Sequence, residues 1–162
     1  MTKSDKNQES RKLFIDADGF PHLKAAIEVA GNVGIGIVAA GNMTQNLGRL
    51  DEIEGLQIIE VSDGMDAADF AILNHMKTGD LVLTGDTGLA ALVIGKGGIA
   101  IDARGNPYRK ETIDGRLLAR HIAKKIRRSG GKTKGPGKIS HRDREKFAGK
   151  LERLLKDFKT LF

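Results

Sequence analysis

Five short apolar stretches recur along the chain: KLFID at 12–16, GIVAAG at 36–41, LQIIEV at 56–61, LVLTG at 81–85 and GIAID at 98–102. They are continuous runs of Ile, Leu, Val and Ala rather than apolar–polar alternations, which is the pattern of strands covered on both faces. Between them, apolar residues at helical spacing predict helices over 22–30, 66–77 and 87–94, and a shorter helical turn over 44–50. Alternation of this kind predicts an α/β fold, a parallel β-sheet flanked by helices on both faces.

Two further helices are predicted over 112–129 and 140–160. At about 100° per residue, Leu118, Ala119, Ile122, Ala123 and Ile126 share one face of the first, with Arg116, Arg120, Lys124, Arg127 and Arg128 on the other. The second opens on Ser140 and Asp143, an N-cap with an acid in the first turn, and carries a stripe of Phe147, Leu151, Leu154, Leu155 and Phe158. Both stripes are expected to pack against the domain. The segment 130–138, GGKTKGPGK, reads as a basic linker and residues 1–11 as a polar tail, leaving one domain over 12–162.

Composition narrows the functional classes. The 162 residues include no cysteine, which excludes disulfides, thiolate metal sites and a Cys nucleophile. No apolar run approaches the roughly 20 residues of a spanning helix, and the polar start lacks a secretory pattern. A cytoplasmic protein without a membrane partner is expected. Charge is unevenly distributed: from Gly115 to Arg142 there are ten Lys/Arg and no Asp/Glu, against 17 basic and 21 acidic residues elsewhere. A mildly acidic body with a basic C-terminal segment is the asymmetry of a nucleic-acid binder. One Tyr and no Trp leave little material for base stacking, so contacts to the phosphate backbone are expected instead.

Functional loops of a parallel α/β sheet gather at the carboxyl ends of its strands. Asp16 and Asp18 end the first apolar run, Asp66 and Asp69 open the helix after the third, and Asp86 follows the fourth, two residues beyond Thr84. Each acid also has a local explanation. Asp16 and Asp18 precede a Gly–Pro turn, Asp66 and Asp69 suit a helix N-terminus, and Asp86 could cap the helix that follows. Together they suggest one acidic cleft. Two carboxylates about 4 Å apart repel by about 4 kcal/mol at an effective dielectric of 20, so such a cleft calls for a cation. An all-oxygen donor set points to Mg²⁺ or Mn²⁺. A cation of this kind suits phosphodiester hydrolysis, with Thr84 orienting a water or phosphate and with Arg104 and the basic helix holding the nucleic acid. His22 lies near the acids and reads as a surface or supporting residue.

The succession DADGFP, DAADFAIL, GDLVLTGDTGLA, ARGNPY and SHRDREKFAGKL resembles the YaiI/YqxD family of bacterial proteins, collinearly from about residue 12 to 158. The resemblance implies a PIN-like domain, a metal-dependent nuclease fold, with RNA favoured over DNA as substrate. It carries over Asp16 as the first-strand acid, Asp18 within the same motif, Asp66 and Asp69 as the mid-chain pair, and Asp86 as the acid after the fourth strand. Where members read DADACP, this chain has Gly19 and Phe20, so no thiol takes part here. Two alternatives stand beside a nuclease. One is a non-catalytic nucleic-acid-binding module. The other is a phosphatase with Asp16 as nucleophile and Asp18 as general acid.

Overall fold

The computed structural model describes residues 11–18, 20–42, 53, 55–62, 67–130 and 140–160, with the side chains of Arg116, Arg120 and Thr160 outside that description. The helical turn expected over 44–50 and the linker over 130–138, apart from Gly130, lie outside the described residues, as does Asp66.

The strands are β1 (Lys12–Asp16), β2 (Gly36–Gly41), β3 (Leu56–Glu60), β4 (Leu81–Leu83) and β5 (Ile99–Ile101). They form one sheet in the order β3-β2-β1-β4-β5, with every pairing parallel. The order reverses between β1 and β4, so a crevice at their carboxyl ends is where an open sheet of this type offers a site. The helices are α1 (Leu23–Val33), α2 (Ala67–His75), α3 (Thr87–Gly95), α4 (Lys110–Arg128) and α5 (His141–Thr160).

Alternate strand residues feed two cores, as the pleat requires. Leu13, Ile15, Ile37, Leu81, Leu83 and Ile101 pack with α1 and with Phe147, Leu151, Leu155 and Phe158 of α5. Phe14, Val38, Ala40, Val82 and Ala100 face the other way, onto α2, α3 and Ile113 at the start of α4. The α/β expectation is met, with a helical layer on each face of the sheet.

Differences from the expected boundaries have local causes. Helix α1 runs past Gly31 because Gly34, at φ +83°, provides the left-handed C-cap and donates its N–H to the Ala30 and Gly31 carbonyls. Strand β4 stops at Leu83 because the Thr84 hydroxyl accepts the Asp86 N–H at 3.0 Å and turns the chain into α3. Helix α4 starts at Lys110, two residues early, with the Thr112 hydroxyl accepting the Arg109 N–H at 3.2 Å.

The apolar stripe of α4 is not packed, contrary to expectation. Leu118 is 60% exposed, Ile122 48% and Ile126 41%. The helix is anchored through Ile113, which is buried. The three stripe residues lie about 140–220° around the axis from that anchor, so the contact that holds α4 turns its stripe outward.

Candidate active site

The crevice is built from strand ends. Asp16 closes β1 and is buried. Thr84, fully buried just beyond β4, donates its hydroxyl to Asp16 Oδ2 at 3.5 Å, joining the two strands where the sheet order reverses. Its carbonyl accepts the Tyr108 hydroxyl at 3.0 Å. Thr84 therefore positions both its acid neighbour and an aromatic ring.

Asp86 is the N-cap of α3. Its Oδ1 accepts the N–H groups of Gly88 at 2.8 Å and Leu89 at 3.3 Å. The capping role, one of the two readings of this residue, is thus present in the structure. Asp18 Oδ1 accepts the Asn42 N–H at 2.9 Å, tying the loop after β1 to the end of β2. Burial pushes the Asp16 carboxyl above its ordinary value, and the negative charges of Asp18 and Asp86 push it further. The Asp18 N–H and the Thr84 hydroxyl offset this only in part. Asp16, Asp18 and Asp86 thus share one electrostatic site.

The other expected acids stand differently. Asp69 lies in the first turn of α2 and is not among the charges acting on Asp16. Asp66 lies outside the described residues. Among the described residues, no three acidic or histidine side chains are drawn together closely enough to hold a metal ion. The donor chemistry fits a hard divalent cation in type, because carboxylate and hydroxyl oxygens meet here and the charges of Asp18 and Asp86 act on Asp16. A closed coordination shell is not formed by the described side chains.

Of the basic residues, Arg104 is exposed on the loop after β5, and Lys124, Arg127 and Arg128 are exposed along α4. Arg116 and Arg120 belong to the same helix, their side chains outside the described set. Lys124, Arg127 and Arg128 stand on the helix with the outward apolar stripe.

His22 is not a surface residue. It is buried, stacks on Phe147 of α5 with ring centroids 4.8 Å apart, and meets the edge of Phe20 at 6.2 Å. Its Nδ1 has no hydrogen-bond partner among the described residues. Burial lowers its pKa, with the Arg144 charge adding to the effect and Asp143 opposing it. A neutral packing role follows, as part of the wall that seats α5.

Two residues of the crevice escaped the sequence expectations. Asp102, buried directly after β5, accepts the Arg104 and Asn106 N–H groups on Oδ1 at 2.9 and 3.0 Å. It shapes the loop of the ARGNPY segment, whose Gly105 sits at φ +84° with no room for a Cβ beside Lys150 of α5. Lys150 Nζ also donates to Asn106 Oδ1 at 3.1 Å. Tyr108, beyond that loop, is the second. Both line a cavity of about 350 Å³ together with Gly85, Ala103 and Arg104. A signal for Asp102 was present: GIAID ends on an acid as KLFID does.

Asp16 of DADGFP, Thr84 and Asp86 of GDLVLTGDTGLA and the ARGNPY loop meet here, all from segments that carried the resemblance. Comparison with known proteins agrees on the family. Residues 14–157 match the family described as "Uncharacterized BCR, YaiI/YqxD family". The chain belongs to the YaiI/YqxD family. A UPF0178 protein of Enterococcus faecalis is 40% identical over 145 residues, covering 90% of this chain and 97% of its own. One from Exiguobacterium sibiricum is 39% identical over 144 residues, covering 89% and 96%. One from Vibrio cholerae is 40% identical over 146 residues, covering 89% and 96%. The family match spans the strand-end acids, the ARGNPY loop and most of α5, so the elements that meet at the crevice fall within it.

Proposed function

We propose that this YaiI/YqxD protein is a Mg²⁺- or Mn²⁺-dependent nuclease of the PIN-like kind, hydrolysing phosphodiester bonds of RNA, or of DNA, in the cytoplasm. The observation that carries this reading is Asp16. A buried carboxylate with two further acids acting on it, at the crevice where the sheet order reverses, is costly unless a cation neutralises it. Asp16, Asp18 and Asp86, with Asp69 of α2 and Asp66, three residues before it in the sequence, would hold the cation. Bound there, it supplies positive charge against the scissile phosphate and acidifies water.

The chain's own residues do the rest. Asp16 is held in one orientation by Thr84, which also orients a water or phosphate oxygen beside it. Asp86 is fixed by its cap bonds, so its carboxylate does not have to be ordered when substrate arrives. Arg104 meets the phosphate chain at the crevice. The α4 residues Arg116, Arg120, Lys124, Arg127 and Arg128 hold it further out without reading bases.

A cleavage assay on single- and double-stranded substrates with Mg²⁺, Mn²⁺ or chelator tests the proposal. Asp86→Asn is the informative variant, because Asn caps helices about as well as Asp while removing the charge. Loss of cleavage in a folded Asp86→Asn protein supports the reading. The capping role of Asp86 and the Asn42 bond of Asp18 favour one other reading, a binding module whose acids are structural. Salt-sensitive nucleic-acid binding, indifferent to the cation and to Asp86→Asn and without any cleavage, would decide for it.

A further inference from the structure

The cavity beside the acids has a size and an aromatic wall that the nuclease reading does not use. Its volume of about 350 Å³ lies at the low end of small-ligand sites, which run from about 300 to 1,000 Å³. It opens at the carboxyl ends of β4 and β5, next to the Asp16–Thr84 contact, because Gly85 follows Thr84 and Asp102 follows Ile101. One wall is Tyr108, the only tyrosine of the chain. Its ring is held in place by the hydroxyl bond to the Thr84 carbonyl. The loop opposite is stiffened by the two N–H bonds to Asp102 and by the seating of Gly105 against α5. Arg104 adds an exposed cation at the rim.

A pre-formed cavity with a fixed aromatic wall and one guanidinium, adjoining a phosphodiester site, suits one nucleotide unit: a base or sugar within and its phosphate on Arg104. We propose that this cavity takes a single unpaired nucleotide flanking the scissile phosphate, so that the enzyme works on single strands or frayed ends rather than intact duplex. The inference rests on the nuclease reading for the identity of the neighbouring phosphate. A base inside a duplex reaches a side cavity only by leaving its stack, at a cost of a few kcal/mol. A single strand avoids that cost.

The single tyrosine supplies a readout that needs no turnover. Full-length protein labelled with fluorotyrosine carries one fluorine, at the cavity wall. Titration in Mg²⁺ with a short single-stranded oligoribonucleotide is expected to shift that resonance, and a blunt duplex of the same sequence is expected to leave it in place. Arg104→Ala should weaken the response about tenfold, the scale of one charge-assisted hydrogen bond. Gly85→Leu should abolish it. Among the described residues other than its chain neighbours, no atom lies within 4 Å of the place a Gly85 Cβ would take. Gly85 lines the cavity, so a side chain added here narrows it without disturbing the core.

An unmoved resonance, an equal response to duplex, or an unchanged response in Gly85→Leu overturns the cavity assignment. The outcome is separable from that of the nuclease reading. A shift without any cation-dependent cleavage leaves the nucleotide cavity standing and removes the nuclease. Cleavage lost in Asp16→Asn with a silent tyrosine does the reverse.

Discussion

The two C-terminal helices are alike as sequences and opposite as structures. Each is long, amphipathic and strongly charged. Helix α5 buries Phe147, Leu151, Leu155 and Phe158 against the sheet and α1, and Lys159 fastens its end to the Val33 carbonyl at 2.7 Å. Helix α4 buries Ile113 alone among its large apolar residues and leaves Leu118, Ile122 and Ile126 facing solvent. Periodicity shows that a helix has an apolar face; where the helix is anchored decides whether that face is covered. The contrast also divides labour. Helix α5 supports the crevice, through Phe147 against His22 and Lys150 on the Asn106 loop. Helix α4 carries exposed cations.

The sharpest way to break this contrast is to truncate each stripe. Phe147→Ala should cost about 3–5 kcal/mol, the usual penalty for a buried aromatic. Ile122→Ala should stay within about 0.5 kcal/mol, as surface changes do. Denaturant titration of the two variants checks this. A comparable destabilisation of both would mean that the α4 stripe is covered after all.

A smaller effect separates α4 by charge. Replacing Lys124, Arg127 and Arg128 by Ala should leave the melting temperature unchanged and weaken nucleic-acid binding. The plot of log affinity against log salt should flatten by about 0.7 for each single-strand phosphate that the protein no longer neutralises. An unaltered salt slope would remove these residues from the interface.

The smallest effect concerns how α5 begins. Asp143 Oδ2 accepts the Ser140 N–H at 3.0 Å while Ser140 Oγ accepts the Asp143 N–H at 3.1 Å, a reciprocal cap. The Ser140 N–H, and after it the Ser140 hydroxyl, hold the Asp143 carboxyl below its ordinary value. Its contribution is therefore complete above the ordinary carboxylate range and lost as the pH falls through the depressed folded value. Asp143→Ala should lower the melting temperature slightly at neutral pH, and the gap should close in acid. A gap independent of pH would argue against the cap.

Much of this architecture was readable in the chain. The five runs, the cap at Ser140 and Asp143 and the stripe of α5 are local patterns with one dominant outcome each. That Asp16 closes β1 and Asp86 follows β4 came from the same runs, because a parallel sheet gathers its strand ends. What could not be read depended on three-dimensional neighbours. His22 is a core residue because Phe147, 125 positions away, covers it. Tyr108 joins the crevice through a hydrogen bond to Thr84 that no spacing rule announces. Asp102 carried a signal of the same form as Asp16, but an isolated acid after a short strand has too many ordinary uses to stand out.

The measurement closest to the central claim is Asp16→Asn, assayed for stability and cleavage together. Because the folded-state pKa of Asp16 is raised, its ionised form weakens the fold at pH values above the ordinary carboxylate range, and the penalty is complete once the pH passes the raised value. Replacing it with a neutral isostere should therefore raise the melting temperature at neutral pH in cation-free buffer while abolishing Mn²⁺-dependent cleavage. A variant that is more stable and inactive is the predicted result. A variant that cleaves as the wild type does would contradict the account.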